Sequence, residues 1–440
     1  MAPRAETPSR SYAYYALGVL FLINLLNYID RQVLYAVFPQ VKGDLHLSDT
    51  QLGTLASAFM IVYLSTAPIA GLLGDRLPRK AFISLGVGLW SLATVFSGLA
   101  RTFAELLMGR SLVGVGEASY GTVSPTLIAD YFPRERRGMA LSFFYMAIPV
   151  GSAIGYVLGG ILAADFGWRA AFFMVGAPGL IMGLVAWLLM EPRRGAMDEA
   201  SSRTFEGVEE VRPTFPMYLS LLRTRSYLFD VLAMAAMTFA LGGLAAWLPS
   251  YLVRVRGMGI AQANVIFGGI TLVTGVAGTL IGGWLGDFLL RYTRKSYFLV
   301  SGCGLLLSVP FAVLVFLSPS LQVSFAAMFL GEFLIFLNTG PLNAIIVNVS
   351  HPAVRAGAFA LNIFVIHILG DAISPTILGY LSDLYGLKTA LLMTPLALAL
   401  GGILCLVGMR SLEADMEKAK KAPTNSEVPI VDDPQPGQGK

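Results

Sequence analysis

Apolar runs of roughly twenty residues or more, parted by mostly short polar loops, fill nearly the whole chain. About 20 apolar residues are needed for a helix to cross a bilayer core. Backbone in lipid must satisfy its own hydrogen bonds, so runs of this length are helices. The sequence therefore predicts twelve spanning helices, at 13–38, 50–73, 81–100, 103–128, 138–164, 170–190, 227–253, 260–286, 296–317, 321–348, 355–382 and 388–409. Hydrophobic residues make up 55% of the chain and charged ones 13%, against about a quarter charged in a soluble protein. That balance excludes a soluble globular enzyme, a disordered chain and a disulfide scaffold. The fold class read from it is an all-α polytopic membrane protein.

The runs divide the chain into a polar N-terminal tail (1–12), a six-helix half (13–190), a linker rich in Arg, Glu and Pro (191–226), a second six-helix half (227–410) and a polar, Pro-containing tail (411–440) that reads as disordered. With both termini cytoplasmic, the cytoplasmic segments hold 23 of the Lys and Arg residues and the external ones 6. This asymmetry sets the orientation. The apolar stretch behind the first twelve residues is too long for a cleavable signal peptide. The expected location is the cell inner (plasma) membrane.

The halves also repeat. FGWRAAFF from Phe166 matches YGLKTALL from Tyr385, an offset of 219; Pro133, Arg136, Gly138, Gly151 and Gly160 fall on Pro352, Arg355, Gly357, Gly370 and Gly379. GLLGD from Gly71 matches GWLGD from Gly283. Duplicated helical halves describe a transporter with its substrate site at their interface near the bilayer midplane.

The stretch GLLGDRLPRK, Gly71 to Lys80, resembles the loop signature between helices 2 and 3 of the major facilitator superfamily, with Pro78 in place of a second glycine. GRSLVGVGEAS, Gly109 to Ser119, resembles that superfamily's helix-4 signature, and Gly151, Gly155, Gly159 and Gly160 occupy its helix-5 glycine motif. NYIDRQ, Asn27 to Gln32, together with RSLVGVGEASYGTVSPTLIADYF, Arg110 to Phe132, is similar to the Spinster family, and the compact chain with short external loops is like a bacterial member. The resemblance implies the major facilitator fold, twelve helices in two pseudo-symmetric halves, and alternating access. It also implies an amphiphilic anionic cargo such as a lysophospholipid or sphingoid phosphate. In related transporters the loop carrying Asp75, Arg76 and Arg79, with Asp287 its counterpart in the second half, controls the conformational switch.

Ionisable groups at membrane depth are costly unless paired or wet. The candidates among those in the predicted spans are Asp30, Arg31, Arg110, Glu117, Glu332, His367 and Asp371. Arg31 and Arg110 each lie seven residues from the outer end of their helix, roughly 10 Å deep. Two guanidinium groups at one depth suit a phosphate or carboxylate. Glu117 lies two turns from Arg110 on the same face, with Gly114 between them expected to leave an open groove. Desolvation favours the neutral form of such a carboxylate and a nearby arginine its ionised form, the balance a proton carrier needs. Asp30 and Arg31 point about 100° apart on one helix, so Asp30 is expected to meet helix 4, at Arg110. Glu332 and Asp371 are possible polar contacts in the second half, and His367 is a further proton-coupling candidate because histidine titrates near neutrality.

Cys303 and Cys405 read as small packing residues, and His46 and His351 as solvated loop residues. The three histidines show no metal-ligand spacing. GVGEAS follows no strand and is no dinucleotide loop. No metal, cofactor or catalytic residue is expected. The expected activity is secondary active, proton-coupled transport by a monomer whose partners are a lipid-like or organic anion, protons and membrane lipids, with no nucleic acid. Arg31 and Arg110 would hold the head group, and Glu117 and Asp30 would carry the proton. A proton-coupled symporter of small organic anions or sugar acids, and a non-transporting receptor or scaffold, are the alternative readings.

Overall fold

The computed structural model describes residues 9–194, 197, 221–351 and 354–421. The linker over 195–196 and 198–220, the first eight residues and the tail beyond Lys421 lie outside the described residues. The first half runs α1 (Arg10–Ala36), the short α2 (Phe38–Leu45), α3 (Asp49–Arg76), α4 (Arg79–Leu99), α5 (Phe103–Tyr131), α6 (Arg134–Tyr145), α7 (Ala147–Phe166) and α8 (Trp168–Trp187). The second runs α9 (Arg225–Arg254), α10 (Ile260–Leu289), α11 (Ser296–Leu317), α12 (Leu321–Phe336), α13 (Thr339–Val349), α14 (Arg355–Ile366), a wide π turn at His367–Asp371, α15 (Ser374–Tyr385), α16 (Leu387–Leu391) and α17 (Met393–Gly408), followed by α18 (Leu412–Lys421).

Among the described residues eleven segments are long and apolar enough to cross a membrane. The twelfth, α5, is 29 residues long but carries Glu105, Arg110, Glu117 and Asp130. Each predicted span has its counterpart within a few residues. Several are broken rather than continuous: α6 meets α7 at Met146, α12 meets α13 at Leu337–Asn338, and the eleventh passes through the π turn. Local chemistry sets the ends. Ser48 and Gln51 form a reciprocal capping box at the start of α3, and the Thr102 side chain caps α5. Gly167 and Gly386, one repeat apart, both end their helices at φ +82°, a conformation that favours glycine. Outward faces carry exposed leucine, isoleucine and tryptophan such as Leu85, Ile181, Leu184, Leu280 and Trp284, a surface suited to lipid.

The halves are joined at the end that carries Asp49. A shared core there includes Val33, Phe38, Tyr156, Trp247, Phe267 and Leu378. The Asp49 carboxylate accepts both Arg254 guanidinium hydrogen bonds at 2.8 and 2.9 Å and the Ser382 hydroxyl at 2.5 Å, and pairs with Lys42 at 2.5 Å. Asp383 accepts the backbone N–H groups of Asp49 and Thr50, each at 2.8 Å. Tyr156 Oη donates to Ala245 O at 2.8 Å, Asn264 Nδ2 to Ala36 O at 3.2 Å and Thr376 Oγ1 to Ser57 Oγ at 2.7 Å. Beside this seal Asp44 bonds Arg169 and Trp168, and these two hydrogen bonds hold its carboxyl below the usual range. At the opposite end Asp75 and Arg76 are exposed. Among the described residues, no hydrogen bond or ion pair links the halves there.

The tail expected to be disordered from Ser411 is helical over Leu412–Lys421. Leu412 is buried in the second-half core. Asp415 Oδ2 accepts the Ser226 backbone N–H at 2.9 Å and its hydroxyl at 2.8 Å. The short amphipathic stretch thus docks by Leu412, with Met416 packed beside it, and by one carboxylate at the positive end of α9.

Candidate functional site

Close backbone approach builds the first-half site. A Cβ at Gly114 on α5 would sit 2.7 Å from Phe59 O and 3.1 Å from Tyr63 N of α3. Glycine here does not open the expected groove; it lets α3 press on α5 and delivers Phe59 and Tyr63 to the site. Gly151 and Gly155 of α7 meet the backbone of α1 at Leu25 and Ile29 in the same way. Asn24 Nδ2 donates to Phe144 O at 3.0 Å and Gln32 Nε2 to Ser152 Oγ at 3.4 Å. The rotation of α1 fixed by these contacts directs Asp30 and Arg31 to different partners.

Arg31 Nε donates to Glu117 Oε2 at 2.6 Å. Its guanidinium carbon lies 4.9 Å from the ring centre of Tyr28 and 5.0 Å from those of Phe59 and Tyr63, an aromatic enclosure that favours a cation. The Arg31 side chain is 15% exposed and that of Glu117 0%. The second Glu117 oxygen, Oε1, has no hydrogen-bond partner among the described residues. Asp30 takes the neighbouring pair: Arg110 Nη1 donates to its Oδ1 at 3.2 Å and Thr94 Oγ1 to its Oδ2 at 2.7 Å. Arg110 is 1% exposed.

The expected meeting of Asp30 with Arg110 is present. Glu117, however, pairs with Arg31 and not with Arg110, because two turns of α5 separate it from Arg110 by about 10 Å along the axis. Of the two arginines, only Arg31 keeps access to solvent. The other candidates stand apart. Glu332 Oε2 accepts the hydroxyls of Thr271 at 3.0 Å and Thr274 at 3.2 Å, beside Leu244, Leu248 and Phe316. His367 Nδ1 and Asp371 Oδ1 are 2.8 Å apart across the π turn. Among the described residues no hydrogen bond links either group to Arg31 or Glu117.

The residues of the 74–80 loop divide by environment. Arg79 is buried, with Nη1 2.5 Å from Asp130 Oδ2 and Nη2 donating to Pro192 O at 3.0 Å. It clamps α4 to the end of α5 and the start of the linker, whereas Asp75 and Arg76 are exposed. Asp287 accepts the Tyr297 hydroxyl at 2.8 Å. Sequence reasoning passed over the aromatic enclosure, although Tyr28 stands inside the quoted NYIDRQ motif, and over the Asp49–Arg254 contact, whose partners lie 205 residues apart. It also passed over Asp230 on α9. That carboxylate is fully buried, and neither oxygen has a hydrogen-bond partner among the described residues. A lone aspartate at the edge of an apolar run was its only signal.

Comparison with known proteins places the chain in a family. The family model described as Major Facilitator Superfamily matches residues 20–375. Protein spinster homolog 1 of Xenopus tropicalis is 39% identical over 386 residues, covering 83% of this chain and 72% of that protein. The sphingosine-1-phosphate transporter SPNS2 of Danio rerio is 34% identical over 438 residues, covering 92% and 86% respectively. Among solved structures, a bacterial homologue of the human lysosomal transporter Spinster, in an inward-facing and unoccupied conformation, superposes with a TM-score of 0.84 at 24% identity, covering 93% of this chain and 99% of that one. With its duplicated helical halves, its loop and helix-4 motifs and these relatives, the chain belongs to the major facilitator superfamily and, within it, to the Spinster family of multi-pass membrane transporters.

Proposed function

We propose that the chain moves a single-tailed anionic lipid by alternating access, and that Arg31 and Glu117 together couple this movement to a proton. The observation that carries the reading is the Arg31–Glu117 pair itself. A cation enclosed by aromatic rings and partly open to solvent is held by a carboxylate with one oxygen unused among the described residues. A phosphate or phosphodiester head group competes with Glu117 for the Arg31 fork. Once Arg31 turns to the cargo, Glu117 is a buried carboxylate without its counter-charge, and proton uptake restores neutrality. For a singly charged head group the site is then uncharged overall both empty and loaded: Arg31 with Glu117, or Arg31 with the anion beside a neutral Glu117. Arg110, held by Asp30 and Thr94, stands behind this pair as a positioning residue. Phe59 and Tyr63 offer apolar surface next to the head group, which suits a cargo with a tail.

We place the chain in an inner (plasma) membrane, and the Lys and Arg asymmetry supports cytoplasmic termini there. In that orientation the Asp49 seal faces outward and the ends carrying Asp75 face the cytoplasm. The test is transport in proteoliposomes with a panel of lysolipids, with and without an imposed pH gradient. The expected result is gradient-dependent movement of lysolipids with anionic head groups, lost in Arg31→Ala and only partly recovered in Arg31→Lys, because lysine lacks the planar fork. Full activity of Arg31→Lys, or movement indifferent to the gradient, would contradict the reading.

A further inference from the structure

Four cations from two stretches far apart in sequence meet at the Asp75 end of the second half. Arg223 and Arg225 stand at the start of α9, Arg410 follows α17, and Lys418 lies on α18. All four line one open cleft between these elements. Leu228, Phe229, Leu232 and Val407 form an apolar wall, and Ser411, Ala414 and Asp415 complete the lining. Leu228 and Leu232 are one turn apart on α9, and Leu232 is 43% exposed, so the apolar wall continues from the cations up the outer face of a membrane-spanning helix.

Among the described residues, Arg223, Arg225 and Arg410 have no ion pair and no side-chain hydrogen bond. Asp415 also lines the cleft, but its Oδ2 is taken by Ser226. It is 3.9 Å from Lys418. Glu413 and Glu417, on the same short helix, are not part of the lining. Four cations against one carboxylate leave the cleft with a net charge of +3. This charge sits at the helix ends, where a bilayer's head groups begin.

We infer that the cleft holds an anionic two-chain phospholipid of the surrounding membrane, its phosphate among Arg223, Arg225 and Arg410 and its chains along Leu228, Leu232 and Val407. The apolar wall distinguishes this occupant from a free phosphate, which would leave it bare. Position distinguishes the site from the transport site, which lies in the first half at Arg31. The occupant would bridge the end of the linker and the C-terminal helix, two segments otherwise tied by Asp415.

Native mass spectrometry of the full chain in detergent tests this, with phosphatidylglycerol or phosphatidylcholine added. Wild type is expected to retain phosphatidylglycerol in preference to phosphatidylcholine. The variant Arg223→Gln/Arg225→Gln/Arg410→Gln is expected to lose that retention by at least roughly tenfold, since each basic residue near a membrane surface favours anionic lipid by roughly fivefold. The corresponding triple lysine variant should keep it, as should Arg291→Gln/Arg294→Gln/Lys295→Gln, which removes the same charge from another loop at that end. Unchanged retention in the first variant, or equal loss in the last, overturns the assignment. Should the glutamine triple not fold, Arg410→Gln against Arg410→Lys carries the same contrast, roughly fivefold loss against none. Displacement of the lipid by inorganic phosphate would make this a free-anion site and overturn it. Arg31→Ala should leave retention unchanged; loss there would place the retained lipid in the transport site.

Discussion

Adjacent charged residues on α1 meet different fates because a helix turns by about 100° per residue. Arg31 faces the aromatic rings and Glu117, and Asp30 faces the interior and Arg110. The buried Asp30–Arg110 pair makes Arg110→Ala a structural lesion: the substitution strands a carboxylate, and losing one member of such a pair costs about 3–5 kcal/mol. The double variant Asp30→Ala/Arg110→Ala should recover part of that loss. Thermal unfolding in detergent reads both, and equal midpoints for wild type and Arg110→Ala would show that the pair holds nothing. Asp230 gives the opposite expectation. A buried carboxylate without a hydrogen-bond partner is unfavourable, so Asp230→Asn should leave the unfolding midpoint unchanged or raised. A clear drop would mean that the carboxylate has a partner in solution.

At the scale of elements, the seal between α3, α9 and α15 concentrates on Asp49. Hydrogen bonds to charged groups contribute about 1.5–3 kcal/mol each, and Asp49 accepts several from the opposite half. Asp49→Asn should therefore shift the protein by tenfold or more away from the state sealed at this end. Asp75, exposed here, is expected to pair only when the other end closes, so Asp75→Asn should shift the balance the opposite way. Distances between spin labels at both ends measure this; shifts of the same sign in the two variants would contradict it. These elements also show what could be read beforehand. Span positions, the repeat and the Asp30–Arg110 meeting followed from apolar run length, from motif offset and from helix rotation. The Arg31–Glu117 pair did not follow, because it depends on how far α3 and α7 press inward at Gly114, Gly151 and Gly155, which is a matter of packing. Nor did the docked helix at Leu412–Lys421, whose single buried leucine and one capping aspartate are too little pattern to distinguish from a polar tail.

For the whole molecule, the duplication explains why the chemistry is lopsided. The halves share backbone devices, such as the matched glycines Gly167 and Gly386, while their buried charges differ. Among the described residues, the first half holds three arginines paired with buried carboxylates, Arg31–Glu117, Arg110–Asp30 and Arg79–Asp130; the second holds Asp230, Glu332 against two threonines and the His367–Asp371 pair beside a π turn. In the proposed cycle the two halves rock about a shared centre, and only one of them carries the exchange between cargo and proton. The most direct measurement is the number of protons taken up when an anionic lysolipid binds. Lysophosphatidylglycerol suits it because its phosphodiester keeps one charge near neutral pH. Calorimetry in buffers of different ionisation enthalpy should give about one proton per lipid bound for wild type and none for Glu117→Gln. Binding without proton uptake in wild type, or undiminished uptake in Glu117→Gln, would show that Glu117 is not the carboxylate that exchanges its arginine for a proton.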